Sequence, residues 1–150
     1  MLELLQELSL LPCVSGREDL VRERIAREVA PYAQCKTDPS GNLIAYKKGA
    51  QTGAKTVLFS AHMDEVGFIV TYIEESGLLR FAAVGGIDTR VVVGKSVLVG
   101  DSGLYGVIGT KAIHMQSPGE QGKAPSMDDL YIDIGASSRE EAEKAVHLGD

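Results

Sequence analysis

The sequence predicts an α/β lobe followed by a small β-rich lobe, a barrel or a sandwich, with the change-over near residues 66–70. Three observations predict it. Helical periodicity is concentrated in the first thirty residues. A nearly continuous apolar run, Thr56-Val57-Leu58-Phe59-Ser60-Ala61, has the pattern of a strand buried on both faces. After Gly67 the helical period disappears for a long stretch, and short β-like runs are punctuated by Gly77, Gly85-Gly86, Gly94, Gly100 and Gly103.

Taken in order, Leu2, Leu5 and Leu8 fall on one side of a short helix over residues 2–10, which Pro12 stops. Ser15-Gly16-Arg17-Glu18 has the form of a capping box, with the Ser15 hydroxyl on a backbone N–H of the first turn and Glu18 reaching back. The helix it opens extends to about Ala30, with Val21, Ile25 and Val29 on a buried stripe. Asp38-Pro39-Ser40-Gly41-Asn42 is a turn that releases a strand, Leu43–Tyr46, and residues 47–53 form a polar loop. The buried strand over residues 56–61 follows.

In the second lobe, runs 68–72, 78–84, 90–93, 96–99 and 104–108 predict strands. Residues 116–125 read as a polar loop and 130–135 as another strand. A final helix starts at Ser137-Ser138-Arg139-Glu140, where acidic residues suit the positive N-terminal end.

Composition narrows the function classes. The chain has 150 residues, with 44% hydrophobic and 24% charged, as a soluble globular protein does. A net charge of −6 argues against nucleic acid or an anionic membrane as partner. Met1 to Glu7 lacks the basic start and unbroken apolar core of a signal peptide, and no apolar run approaches the length of a membrane span. Cys13 and Cys35 have no CxxC spacing, which points to a reduced, cytoplasmic compartment.

One segment can carry chemistry: Ser60-Ala61-His62-Met63-Asp64-Glu65-Val66-Gly67, at the C-terminal end of the expected interior strand. Ligands of open α/β sheets bind at that edge. His62 can offer a ring nitrogen to a metal, and Asp64, two residues on, can take the other ring N–H and fix the tautomer. From spacing alone, His62 is equally a surface histidine beside a turn aspartate. His114 either faces a site or caps a loop, the loop role being favoured. His147 reads as a solvated residue, and Cys13 as a small buried thiol. Val93-Gly94-Lys95-Ser96 imitates the end of a P-loop, but Thr89 stands where the first glycine belongs and a strand follows. No HExxH or GxSxG occurs, and no pair of carboxylates marks a glycoside hydrolase.

The segment Phe59 to Gly67 resembles the first metal-binding motif of the M42 peptidases, the glutamyl aminopeptidase family, some of whose relatives carry an endoglucanase label. Cys13-Val14-Ser15-Gly16-Arg17-Glu18, Ser40 to Ala45, Gly106 to His114 and Asp129 to Glu143 resemble further family segments, in the family's order. The resemblance implies an α/β zinc-peptidase domain interrupted by an inserted β domain. Residues 1–66 would be the N-terminal part of the peptidase domain. Residues 67–150 would be the insertion and the start of the return. It implies peptides as substrate, homo-oligomers, and two divalent ions, zinc or cobalt. His62 would be a metal ligand, and Asp64 the catalytic-site residue that orients it. A DDR-like segment, an EE pair and the remaining ligands, which the family places downstream, have no counterpart here, and Glu65 does not match the family's base. The resemblance therefore implies a truncated chain that is inactive by itself; the competing expectation is a non-catalytic assembly module.

Overall fold

The computed structural model describes residues 1–51, 53, 55–115 and 122–150. It divides into two compact units, Met1–Glu65 and Val66–Asp150.

The first unit opens with α1 (Leu2–Leu10) and α2 (Asp19–Val29). In α1, Leu4 and Leu8 are half-buried while Leu2 and Leu5 stay exposed. Arg24 of α2 clamps Glu7 of α1 with Nε–H and Nη2–H donating to its two carboxylate oxygens, at 2.6 and 2.8 Å. Val21 is the buried residue of α2, and Ile25 and Val29 lie half-buried on the same stripe. The expected capping box is corrected. Helix α2 begins four residues after Ser15, has Glu18 as its N-cap, and has no side-chain cap hydrogen bond. Glu18 reaches the Gly16 N–H instead, at 2.7 Å.

Strands β1 (Gln34–Thr37) and β2 (Leu43–Tyr46) form an antiparallel hairpin. The Asp38 carboxylate holds its turn, accepting from Ser40 N–H, Asn42 N–H and the Asn42 side-chain amide. Those bonds, the Asn42 side chain first, lower the Asp38 pKa.

The expected interior strand at 56–61 is also corrected. Residues 55–64 have no regular secondary structure. Val57, Leu58 and Phe59 are 73%, 86% and 92% exposed. A strand buried on both faces needs a partner strand on each side and a covering layer, and no described strand pairs with this run.

Where the sequence suggests a barrel or sandwich, the second unit holds one five-stranded antiparallel sheet of order β3-β4-β7-β6-β5. Its strands are β3 (Gly67–Ile73), β4 (Leu79–Val84), β5 (Ser96–Val99), β6 (Leu104–Thr110) and β7 (Leu130–Asp133). The β3–β4 turn closes with Gly77 N–H on the Glu74 carbonyl and Glu74 N–H on the Leu78 carbonyl. Gly77 sits at φ +87°, where a Cβ would also come within 2.7 Å of the Ala136 carbonyl oxygen, so the position requires glycine. The sheet alternates as strands should: Leu79, Phe81, Ile108, Leu130 and Ile132 are buried with Val70, Ile73, Val99, Ala142 and Val146 in one core.

Two short helices complete this unit. Run 90–93, expected as a strand, is instead part of a one-turn helix, α3 (Thr89–Val92). Asp88 caps it by accepting from the Arg90 N–H, and that local bond outweighs the β-preference of three consecutive valines. The last helix, α4 (Arg139–Ala142), is a single turn capped by Ser138. Arg139 ties it to the β3–β4 hairpin through the Tyr72 hydroxyl and Ile73 carbonyl, both at 2.5 Å. Residues 116–121 of the expected polar loop, and Thr52 of the earlier one, lie outside the described residues.

Two outcomes follow. Leu79 is fully buried, so Leu79→Ala should cost about 2–5 kcal/mol in denaturant unfolding; a loss below about 1 kcal/mol would contradict the core described. Hydrogen exchange should show slow amides at Phe81, Ile108 and Ile132 and fast ones across Val57–Phe59. Equal protection of the two sets would contradict the exposure of residues 55–64.

Candidate metal-binding site

His62 and Asp64 lie on the irregular segment that ends the first unit, so no strand or helix ladder fixes them. Their position comes from residues 13–15. The Glu65 N–H donates to the Cys13 carbonyl at 2.9 Å, and Val14 and Glu65 form a parallel bridge. The Glu65 carboxylate accepts from the Cys13 N–H at 3.3 Å. Glu65 therefore has a backbone-holding role.

On this support the imidazole meets the aspartate. His62 Nδ1 lies 2.8 Å from the Asp64 carbonyl oxygen and 3.2 Å from its Oδ1. A carbonyl oxygen only accepts, so in the neutral ring Nδ1 carries the proton and donates. The lone pair is then on Nε2, on a side chain 85% exposed. Asp64 Oδ2 accepts from the Ser15 hydroxyl at 2.6 Å. That bond, with the neighbouring imidazole as a smaller contribution, holds the Asp64 carboxyl below the usual range and so in its ionised, accepting form.

The arrangement fits one metal ligand: a basic ring nitrogen facing solvent, with the opposite nitrogen anchored to oxygen. It is not a coordination sphere. Among the described residues no group of three or more His, Cys, Asp or Glu side chains could hold an ion. The described residues supply one oriented donor, and no bond-making step can be derived from it alone.

The other candidates separate from this site. Cys13 is buried; burial, with the Glu65 carboxylate close by, pushes its thiol pKa up, which suits packing and not nucleophilic attack. His114 sits exposed in a 3-10 turn, Ile113–Met115. His147 lies past the end of α4, exposed, with Nδ1 3.9 Å from Asp150 Oδ2. Lys95-Ser96 leads directly into β5, so no helix N-terminus is there to hold a phosphate. The residue that sequence reasoning missed is Ser15. Its helix-cap pattern concealed a partner 49 residues away, which no local signal could have revealed.

Comparison with known proteins agrees with the motifs. Residues 41–150 match the model of the M42 glutamyl aminopeptidase family. The lysyl aminopeptidase of Pyrococcus furiosus is 34% identical over 95% of this chain and 42% of its own length. The crystal structure of a TET aminopeptidase from a marine sediment Thaumarchaeota archaeon superposes with a TM-score of 0.89 at 35% identity, over 99% of this chain and 43% of that one. The Pyrococcus horikoshii TET1 peptidase, which assembles into a tetrahedron or a large octahedral shell, gives 0.84 at 42% identity, over 99% of this chain and 44% of its own. The chain thus spans less than half the length of the relatives it matches. On the family match and these identities, the chain belongs to the M42 glutamyl aminopeptidase family.

Proposed function

We propose that this chain is the N-terminal part of a metal-dependent aminopeptidase that removes N-terminal residues from peptides, with His62 as one ligand of a divalent ion, zinc or cobalt. The observation that carries the reading is the His62–Asp64 pair, in which Nδ1–H donates to Asp64 and a basic Nε2 is left on the exposed ring. When bound, ions of this kind polarise a peptide carbonyl and activate water. Asp64 contributes orientation, keeping the ring in one tautomer with its lone pair on the exposed nitrogen. Residues 1–66 would belong to the peptidase domain, and 67–150 to an inserted β-rich domain and the start of the return. The two free cysteines suit a reducing cytoplasm. Copies of the chain would associate with one another, as the TET1 peptidase does.

A second reading is favoured by one observation, the lack of a gathered ligand set among the described residues. In it the chain is a non-catalytic assembly module and His62 has no metal role. One set of variants separates the two. In an enzyme of the relatives' full length carrying this segment, His62→Ala should abolish hydrolysis of aminoacyl-anilides and lower bound metal. Asp64→Asn should cut turnover by about 10–100-fold with an unchanged circular dichroism spectrum. Full activity of both variants would overturn the metal role and favour the assembly module. The 150-residue chain by itself should show no turnover with zinc or cobalt added; robust hydrolysis would mean that the described donors suffice.

A further inference from the structure

We propose that residues 146–150 guard the outer edge of β3, and that this edge, once bared, pairs with β3 of a second copy of the chain. The inference concerns the second unit and does not depend on the metal role of His62.

The sequence of β3 favours such pairing. The strand stands at one end of the order β3-β4-β7-β6-β5, and among the described residues no further strand lies beyond it. Its seven residues, Gly67-Phe68-Ile69-Val70-Thr71-Tyr72-Ile73, carry no charge and no proline. A segment of this kind has high β-propensity and nothing that repels a like strand. Two β3 edges can meet antiparallel with Val70 at the centre of both, a self-complementary arrangement. In a chain of net charge −6, this is a stretch along which two copies meet without like charges facing each other.

The edge is occupied by the chain's own residues. Val70 N–H donates to the Asp150 carbonyl at 2.8 Å, and Gly149 N–H donates to the Val70 carbonyl at 2.9 Å. Val70 is the middle residue of the strand, so a chain adding along that edge needs those two groups. The register shift between Val70 and Tyr72 lies at the same point, and a bulge there disrupts the ladder further.

The guarding segment is anchored on three sides. Val146 is buried in the core. The Asp150 carboxylate accepts from the His147 N–H at 2.8 Å, closing the turn that presents the Asp150 carbonyl to β3. The same carboxylate fills the space beside Gly100, just past β5, where an added Cβ would come within 3.1 Å of its Oδ2. Because β5 is the opposite edge strand, the segment joins both ends of the sheet. Gly149 in this turn has φ +96°, which a side chain disfavours. Hydrogen bonds of modest net strength hold the segment on β3, so it can leave without opening the core.

The experiment uses the full 150-residue chain and two variants that detach the guard by different routes. Asp150→Ala removes the carboxylate acceptor, and Gly149→Ala disfavours the turn while every other side chain stays in place. The probe is a fluorescein-labelled peptide of residues 67–73, flanked by lysines for solubility. In both variants the Val70 amide should exchange about fivefold or more faster, while Ile108 and Ile132 stay slow. Both should bind the peptide saturably, raising its fluorescence anisotropy, and the unaltered chain should not. The same peptide N-methylated at its central valine lacks the donor that pairing needs and should bind neither variant. Should Asp150→Ala also speed exchange at Ile108 and Ile132, Gly149→Ala decides. Unchanged Val70 exchange in Gly149→Ala, faster exchange without peptide binding, or equal binding of the N-methylated peptide would overturn the proposal.

Discussion

The candidate site depends on one constraint: residues 13–15 hold residues 64–65 across about fifty positions of chain. The contact is small. It comprises a single parallel bridge, two hydrogen bonds between Cys13 and Glu65, and one between Ser15 and Asp64. Yet the ten residues before Glu65 have no regular structure of their own, so these bonds carry the positional information that a strand ladder would otherwise supply. Bringing together segments so far apart carries a loop-closure cost that grows only slowly with length. A few well-aligned bonds can therefore hold the pairing once helices α1 and α2 and the β1–β2 hairpin occupy the intervening chain.

The two units differ in how they are stabilised. The second buries a continuous apolar core in which Leu79, Ile108 and Leu130 are almost wholly removed from water. In the first, Cys13 and Val21 are the buried hydrophobics among the described residues, and polar contacts such as the Arg24–Glu7 clamp do much of the organising. Exposed ion pairs contribute little each. Apolar burial contributes far more, so local stability should be concentrated in the sheet, and the segment with His62 and Asp64 lies in the unit with the smaller apolar core.

Much of this was legible in the sequence, for definite reasons. Helix α1 ends where leucine periodicity meets Pro12, and five of the six expected strands beyond Gly67 appear because alternation and turn glycines are local signals. The failures share a cause: the deciding partner lay elsewhere in the chain, or a local polar bond outweighed an apolar pattern. Gln34–Thr37 is too polar to announce a strand, and becomes one by pairing with Leu43–Tyr46. Run 90–93 looks extended until Asp88 caps it. The spacing of Ser15 to Glu18 suits a helix terminus, whereas its hydroxyl is used at long range. Thr56–Ala61 looks interior from apolarity alone, but apolarity says that a run favours burial and not that anything in the described chain covers it. The His-x-Asp pair was legible as a possibility, while the proton's location on Nδ1 needed the Asp64 carbonyl, a backbone group that sequence does not place.

An oriented histidine on an irregular segment beside an exposed apolar run combines two opposite tendencies. Val57, Leu58 and Phe59 present apolar side chains to water, which favours any arrangement that covers them. His62, three residues after Phe59, is exposed too, but its Nδ1 is bonded to Asp64. Both acceptors of Nδ1 belong to Asp64, two residues along the same segment, so the ring is tied to that residue and not to the apolar run. The Ser15 and Cys13 contacts in turn hold the Asp64 carboxylate and the following backbone in place. The polar clamp therefore bears on orientation more than on stability: the contacts that place Asp64 and its histidine are separate from the apolar run that precedes them, which stays exposed.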